Sequence, residues 1–173
     1  MKYPTVINNF NVYDGEATNL IVGTTGEITL PDLETKTSTI SGAGILGEID
    51  EAVIGQFGPI KMEIPFRTIS TDMFNLMRTD IQTGATLRGG IQGFDTETAK
   101  ATMTPMKVVV KGKTLSSKPG KVKAGEQMDS SVTVELTYIK IEYDNEVSLE
   151  LDKLNTVYTV NGVDMLEEIR NMM

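Results

Sequence analysis

Val132-Thr133-Val134-Glu135-Leu136-Thr137-Tyr138-Ile139-Lys140-Ile141-Glu142-Tyr143 is the stretch on which the fold turns. Alternating apolar and polar side chains are the period of a strand with one buried face. The apolar phase runs through Val132, Val134, Leu136 and Tyr138, then changes to Ile139, Ile141 and Tyr143. A bulge or bend near Tyr138 accounts for such a switch. Upstream, Met106 to Lys111 reads as the partner strand, joined through a long loop around Ser116-Ser117-Lys118-Pro119-Gly120. The two make an extended hairpin over about 106–143. Downstream, Asp144-Asn145 is a compact turn, because both residues tolerate positive φ, and it leads into Val147, Leu149 and Leu151.

Further strands follow on either side. Ile60, Met62, Ile64 and Phe66 alternate with charged residues, and Pro65 within that run marks an edge or a bulge. Ile28–Pro31 and Thr35–Ile40 read as a short pair, Leu87–Phe94 as a strand whose Gly89, Gly90 and Gly93 permit bends or close backbone approach, and Thr156–Val160 as the last strand. Two short helices interrupt the pattern. Ser70-Thr71-Asp72 offers capping oxygens before Met73, Phe74, Leu76 and Met77, and a second helix after Asn161-Gly162 carries Met165, Leu166 and Ile169 as a stripe. The expected fold is mainly β: an antiparallel sandwich or barrel with one packed helix, a short C-terminal helix and an extended arm, in one domain over 1–173.

That arm is Ser41 to Pro59, where five glycines mix with apolar residues in no helical or strand period. A connection of this length without its own secondary structure is rare in a compact domain unless functional or disordered. Its apolar content argues against disorder. The reading is a mobile arm that buries Gly42, Gly44, Ile45, Leu46, Gly47, Ile49, Val53, Ile54 and Phe57 against another copy or a partner. An Ω-loop folded back on its own domain is the alternative.

Charge is uneven. Thr98 to Gly125 holds seven lysines and no carboxylate, which leaves nine bases against 24 acids, or −15, elsewhere in a chain of net charge −8. Lys107, Lys111, Lys113, Lys118, Lys121 and Lys123 form a candidate basic hairpin that docks on the acidic face of an identical neighbour. A solvated hairpin keeping an edge soluble and a nucleic-acid patch are the alternatives, the latter weakened by the lack of Arg and aromatic residues in the run.

Composition removes most chemistry. The chain has no Cys and no His, which excludes thiolate catalysis, sulfur-based zinc sites and the usual general base. Adjacent carboxylates, Asp50 with Glu51 or Glu142 with Asp144, are nominal candidates for glycoside hydrolysis, but 24 acids make neighbours by composition alone and Trp is absent. No EF-hand loop is present, and Asp144-Asn145-Glu146 reads first as turn chemistry. Gly84 to Gly90 lacks the Gly-Lys-Ser/Thr of a phosphate loop. Neither cofactor nor metal is expected. No window approaches the ~20 apolar residues of a membrane span, and Met1-Lys2-Tyr3-Pro4 is unlike a secretory signal.

Several segments together resemble a known family. Ile7-Asn8-Asn9-Phe10-Asn11-Val12-Tyr13, Gly26-Glu27-Ile28-Thr29-Leu30-Pro31, Gly42-Ala43-Gly44-Ile45-Leu46-Gly47, Leu151-Asp152-Lys153-Leu154-Asn155 and Val160-Asn161-Gly162-Val163-Asp164 resemble the major tail tube protein of contractile phage tails and phage-tail-like bacteriocins, similar in fold to the type VI secretion tube protein. The resemblance implies a non-enzymatic subunit that forms homohexameric rings stacked into the inner tube of a contractile tail. It implies an arm around 42–57 reaching the next ring, and as partners the tail sheath, baseplate and tail terminator proteins, with DNA in the channel if the particle is a phage. Assembly in the bacterial cytoplasm, followed by residence in a virion or extracellular particle, is implied too. An acidic channel wall that repels DNA is the expectation from the −15 outside the lysine run. A monomeric β-sandwich ligand-binding module and, more distantly, a carboxylate hydrolase are the competing functions.

Overall fold

The structure, a computed structural model, describes residues 1–15 and 17–173. In chain order these residues form β1 (Lys2–Asp14), β2 (Thr35–Ser41), β3 (Glu48–Phe57), β4 (Lys61–Phe66), α1 (Thr71–Leu76), β5 (Thr83–Asp95), β6 (Lys100–Lys118), β7 (Ser130–Tyr143), β8 (Glu146–Asp152), β9 (Val157–Val160), β10 (Val163–Asp164) and α2 (Glu167–Met172). The main sheet is antiparallel, in the order β1-β5-β6-β7-β8-β9-β10, with β4 also on β7. β2 and β3 pair only with each other.

β7 is the spine. Its first half borders β4, from Lys61 opposite Glu135 to Phe66 opposite Ser130, and its second half borders β8, from Tyr138 opposite Asp152 to Tyr143 opposite Glu146. The handover falls at a bulge. Lys111 faces Tyr138 while Gly112 faces Leu136, so Thr137 is the unpaired extra residue. Val132, Val134 and Leu136 point into the core before it, and Ile139 does so after it. The phase switch read in the sequence is this bulge, which turns Tyr138 to the opposite face. Here the Leu136 N–H donates to the Ile60 carbonyl at 2.7 Å and the Lys153 N–H to the Thr137 carbonyl at 2.9 Å, so both bordering elements are tied at the fork.

The core collects Ile60, Met62, Ile64 and Phe66 with Leu87, Val108, Val110, Val132, Leu136 and Ile139. α1 covers it with Met73 and Leu76. Ser70 Oγ accepts the Met73 N–H at 3.2 Å, the N-cap expected from the sequence. Phe74, expected on the same apolar face, is half exposed. Residues 19–25 span the gap between β1 and β4: the Ile21 N–H donates to the Val12 carbonyl at 2.8 Å and the Thr25 N–H to the Pro65 carbonyl at 3.2 Å. These are isolated bridges rather than a ladder, so the sheet curls over its core without closing as a barrel. Pro65 sits where an absent donor is harmless, on the side of β4 away from β7.

Three expectations need correcting. Ile28–Pro31 is irregular rather than a strand. The segment 41–59 does have secondary structure, because Glu48–Phe57 is β3, paired with β2 from Ser41 opposite Glu48 back to Thr35 opposite Phe57. Neither face of this pair is buried, so no burial-driven alternation was written into its sequence. The C-terminal helix starts later than expected, at Glu167, because Val163 and Asp164 first pair back onto Val160 and Thr159. Of its apolar stripe only Leu166 is buried, while Met165 and Ile169 stay exposed.

Candidate assembly surfaces

The β2–β3 hairpin stands off the body on a narrow root. Phe57 packs edge-to-face on Tyr158 with ring centroids 5.0 Å apart, the Gly58 carbonyl accepts from Lys153 Nζ at 3.0 Å, and Gly55 lies against Leu166. Val53 to Gln56 bulge opposite Lys36, where the register slips between Thr35 and Thr37. Beyond the root the side chains open to solvent. Leu46 is 106% exposed, Ile54 59%, Ile49 55% and Val53 40%. Gly42, Gly44 and Gly47, at φ of 146°, 89° and 101°, turn the tip through conformations that an L side chain resists. Ile40 and Ile49 are directly opposed on one face. An isolated two-stranded ribbon is marginal in water, so these bare aliphatic groups are unsatisfied in the single chain. Of the arm residues expected from sequence, Ile45 is half-buried at the tip and Phe57 belongs to the root.

The lysine run is less uniform than its sequence. Lys107 pairs with Glu142 at 3.7 Å, and Lys111 lies 5.5 Å from the Tyr138 ring centroid. Both belong to the sheet face turned away from the core, where Arg88 stacks over Tyr13 at 5.4 Å and Lys140 meets Glu142 at 3.4 Å. On that face Tyr138 donates its hydroxyl to Glu150 at 3.1 Å; burial first, then the charge of Glu150, pushes its pKa up to about 12. Farther out, the loop between β6 and β7 carries Lys121 beside Asp129 at 3.2 Å and Lys123 beside Glu126 at 2.7 Å, all well exposed. Lys113 and Lys118 are exposed and make no ion pair among the described residues.

Nominal catalytic pairs are not assembled. Asp50 accepts from Thr39 Oγ1 at 2.7 Å on the open hairpin, and its neighbour Glu51 projects to the other face of the same strand. Glu142 is held by two lysines, while Asp144 and Asn145, at φ of 53° and 63°, form the expected tight turn. Among the described residues no group of three acidic side chains could hold a metal ion.

One surface was missed in the sequence. The far ends of β1, β5 and β6 extend past the core, and their register puts Tyr3 beside Phe94 and Val6 across Gln92 from Met103 on one face. These four are 45–61% exposed. The alternation of Tyr3 and Val6 is broken by register shifts at Pro4/Val6 and Ile7/Asn9, which hides the strand period.

A curled β body with a bare apolar hairpin and a second exposed apolar blade presents, among the described residues, two surfaces suited to contact with other chains. The chain belongs to the phage tail tube protein FII family, which it matches over residues 4–173. As a member it is a structural tail component, not an enzyme. It is similar to the tail tube protein of Escherichia phage P2, 35% identical over 65 residues, a match spanning 38% of each chain. Its fold is similar to the sheath/tube terminator of the PVC extracellular contractile injection system in the extended state, with a TM-score of 0.54 and 11% identity over 81% of this chain and 97% of that one. A chain of the PVC sheath–tube complex gives a TM-score of 0.51 and 12% identity, covering 81% and 92%.

Proposed function

We propose that this tail tube protein forms homohexameric rings that stack around a central channel as the inner tube of a contractile tail, of a phage or a phage-tail-like bacteriocin. The observation that carries the reading is the standing hairpin. Its apolar residues Leu46, Ile49 and Ile54 are more than half exposed in the single chain, and a neighbouring ring is the surface that buries them. The arm residues Gly42, Gly44, Ile45, Leu46, Gly47, Ile49, Val53 and Ile54 make the inter-ring contact, with Phe57 holding its root. The tube works by geometry: many modest contacts per subunit sum to a stiff polymer that a contracting sheath drives forward. Sheath, baseplate and tail terminator proteins are its partners, and DNA passes through the channel in a phage. Assembly takes place in the bacterial cytoplasm, before the particle is released.

The sheet face turned from the core interleaves Arg88, Lys107, Lys111 and Lys140 with Glu142, Glu150 and Asp152. Where that face lines the channel, the wall is close to neutral instead of acidic. Electron microscopy of purified protein over a concentration range tests the assembly. Six-fold rings and tubes support it, whereas a strict monomer at the highest concentration refutes it.

A further inference from the structure

The hairpin and the loop between β6 and β7 share one pattern with opposite sign. The hairpin carries Glu48, Asp50 and Glu51 against Lys36 alone, a net −2, around the fully bare Leu46. The loop carries Lys121 and Lys123 against Glu126 and Asp129, with Lys118 at the end of β6 and Arg67 beside the loop through the Met128 N–H to Arg67 carbonyl bond of 2.7 Å, a net +2. At its centre Val122 is 92% exposed. Each projection is therefore a bare aliphatic side chain within a small net charge, negative on the hairpin and positive on the loop.

They are also held apart. The hairpin leads into β4 at Lys61, opposite Glu135, while the loop leads into β7 at Ser130, opposite Phe66 at the other end of β4. The five steps from Lys61 to Phe66 put about 17 Å between the two attachments. Exposed on both sides, the hairpin does not lie back along its own body. No ion pair joins Glu48, Asp50 or Glu51 to a base among the described residues.

We infer that the acidic hairpin tip of one copy docks on the Lys118–Lys123 loop of a second copy, seating Leu46 against Val122 between opposed charges. This rests on the stacked-ring reading and names the two surfaces that meet. Only the outer part of the lysine run takes part, since Lys107 and Lys111 lie on the sheet face, whereas Lys121 and Lys123, paired with Asp129 and Glu126, stand exposed on the loop. The contact is heterologous, using different patches on the two copies, and in the stacked-ring reading it joins each ring to the next.

Charge reversal in two sets tests the pairing. One variant carries Glu48→Lys, Asp50→Lys and Glu51→Lys, the other Lys118→Glu, Lys121→Glu and Lys123→Glu. Each alone is expected to raise the concentration needed for tubes by about tenfold or more while still forming rings. An equimolar mixture is expected to restore tubes with alternating copies, and so is one chain carrying both sets. Negative-stain tube lengths and sedimentation are the readouts, and circular dichroism confirms that each variant is folded. Tubes unchanged in both variants overturn the pairing and leave the stacked rings standing. A mixture that fails to recover also overturns it. Wild-type protein that never forms rings or tubes overturns the pairing and the tube reading together.

Discussion

Gly112 is the residue on which the forked sheet depends, and Gly112→Ala measures how tightly. A Cβ there would sit 1.9 Å from the Glu135 carbonyl oxygen, 2.8 Å from its carbon and 2.9 Å from Leu136 Cα. Reaching ordinary contact requires the β7 backbone to retreat by about 1.5 Å. Backbone has no rotamer with which to yield. Overpacking of this kind costs about 1–3 kcal/mol. The displacement also strains the Leu136–Ile60 and Lys153–Thr137 hydrogen bonds at the fork, each worth about 1 kcal/mol. Lower entropy of the unfolded alanine chain returns about 0.4–1 kcal/mol. The net is a loss of about 2–4 kcal/mol, and at ~2–4 °C per kcal/mol for a chain of this length the melting temperature falls by about 10 °C. Gly90→Ala is the control, since no atom lies within 4 Å of its Cβ and its expected change is under about 0.5 kcal/mol. Both variants are melted by circular dichroism in a Leu46→Asp background, so that assembly does not add its own stabilisation. A Gly112→Ala protein that melts with its parent refutes the close approach at the bulge.

Replacing Leu46 by Asp is expected to stop tube growth while moving the unfolding free energy by no more than about 0.5 kcal/mol, because Leu46 is fully exposed in its own chain; unimpaired tubes would remove the hairpin from stacking. Phe66→Ala is expected to cost about 3–5 kcal/mol in a urea titration, since the ring is 0% exposed and packs at the centre of the core. Tyr138 binds its proton more tightly folded than unfolded, so the stability it contributes is complete below pH ~10 and is lost as pH rises toward about 12. Ultraviolet tyrosinate titration is expected to show a late-ionising component, and Tyr138→Phe to remove it.

The parts of the fold legible in the sequence are those where burial writes a pattern. Met62, Ile64 and Phe66 alternate because β4 has one buried face, and the change of phase after Leu136 is a bulge because two residues cannot both follow one pleat. The Asp144-Asn145 turn was legible because few residues accept its dihedral angles. β3 was not, since a ribbon wetted on both faces has no reason to alternate. What betrayed it was the surplus of aliphatic side chains around glycine, a signature of function that left the geometry open. The lysine run misled in another way: composition adds its charges together, whereas the sheet ties Lys107 and Lys111 to Glu142 and Tyr138 and leaves Lys121 and Lys123 on a separate loop. Tyr3, Val6, Phe94 and Met103 meet only through the register of three strands, which no local window contains.

The placement of the two projections at opposite ends of β4 bears on how a particle comes to have a definite size. In the docking inferred above, a copy added through its hairpin leaves another hairpin or another loop waiting, so elongation would be directional and every step would offer the next the same surface. Nothing in such a chain counts. On that docking, the length of the finished structure is set by something other than this contact, which is the same at every step.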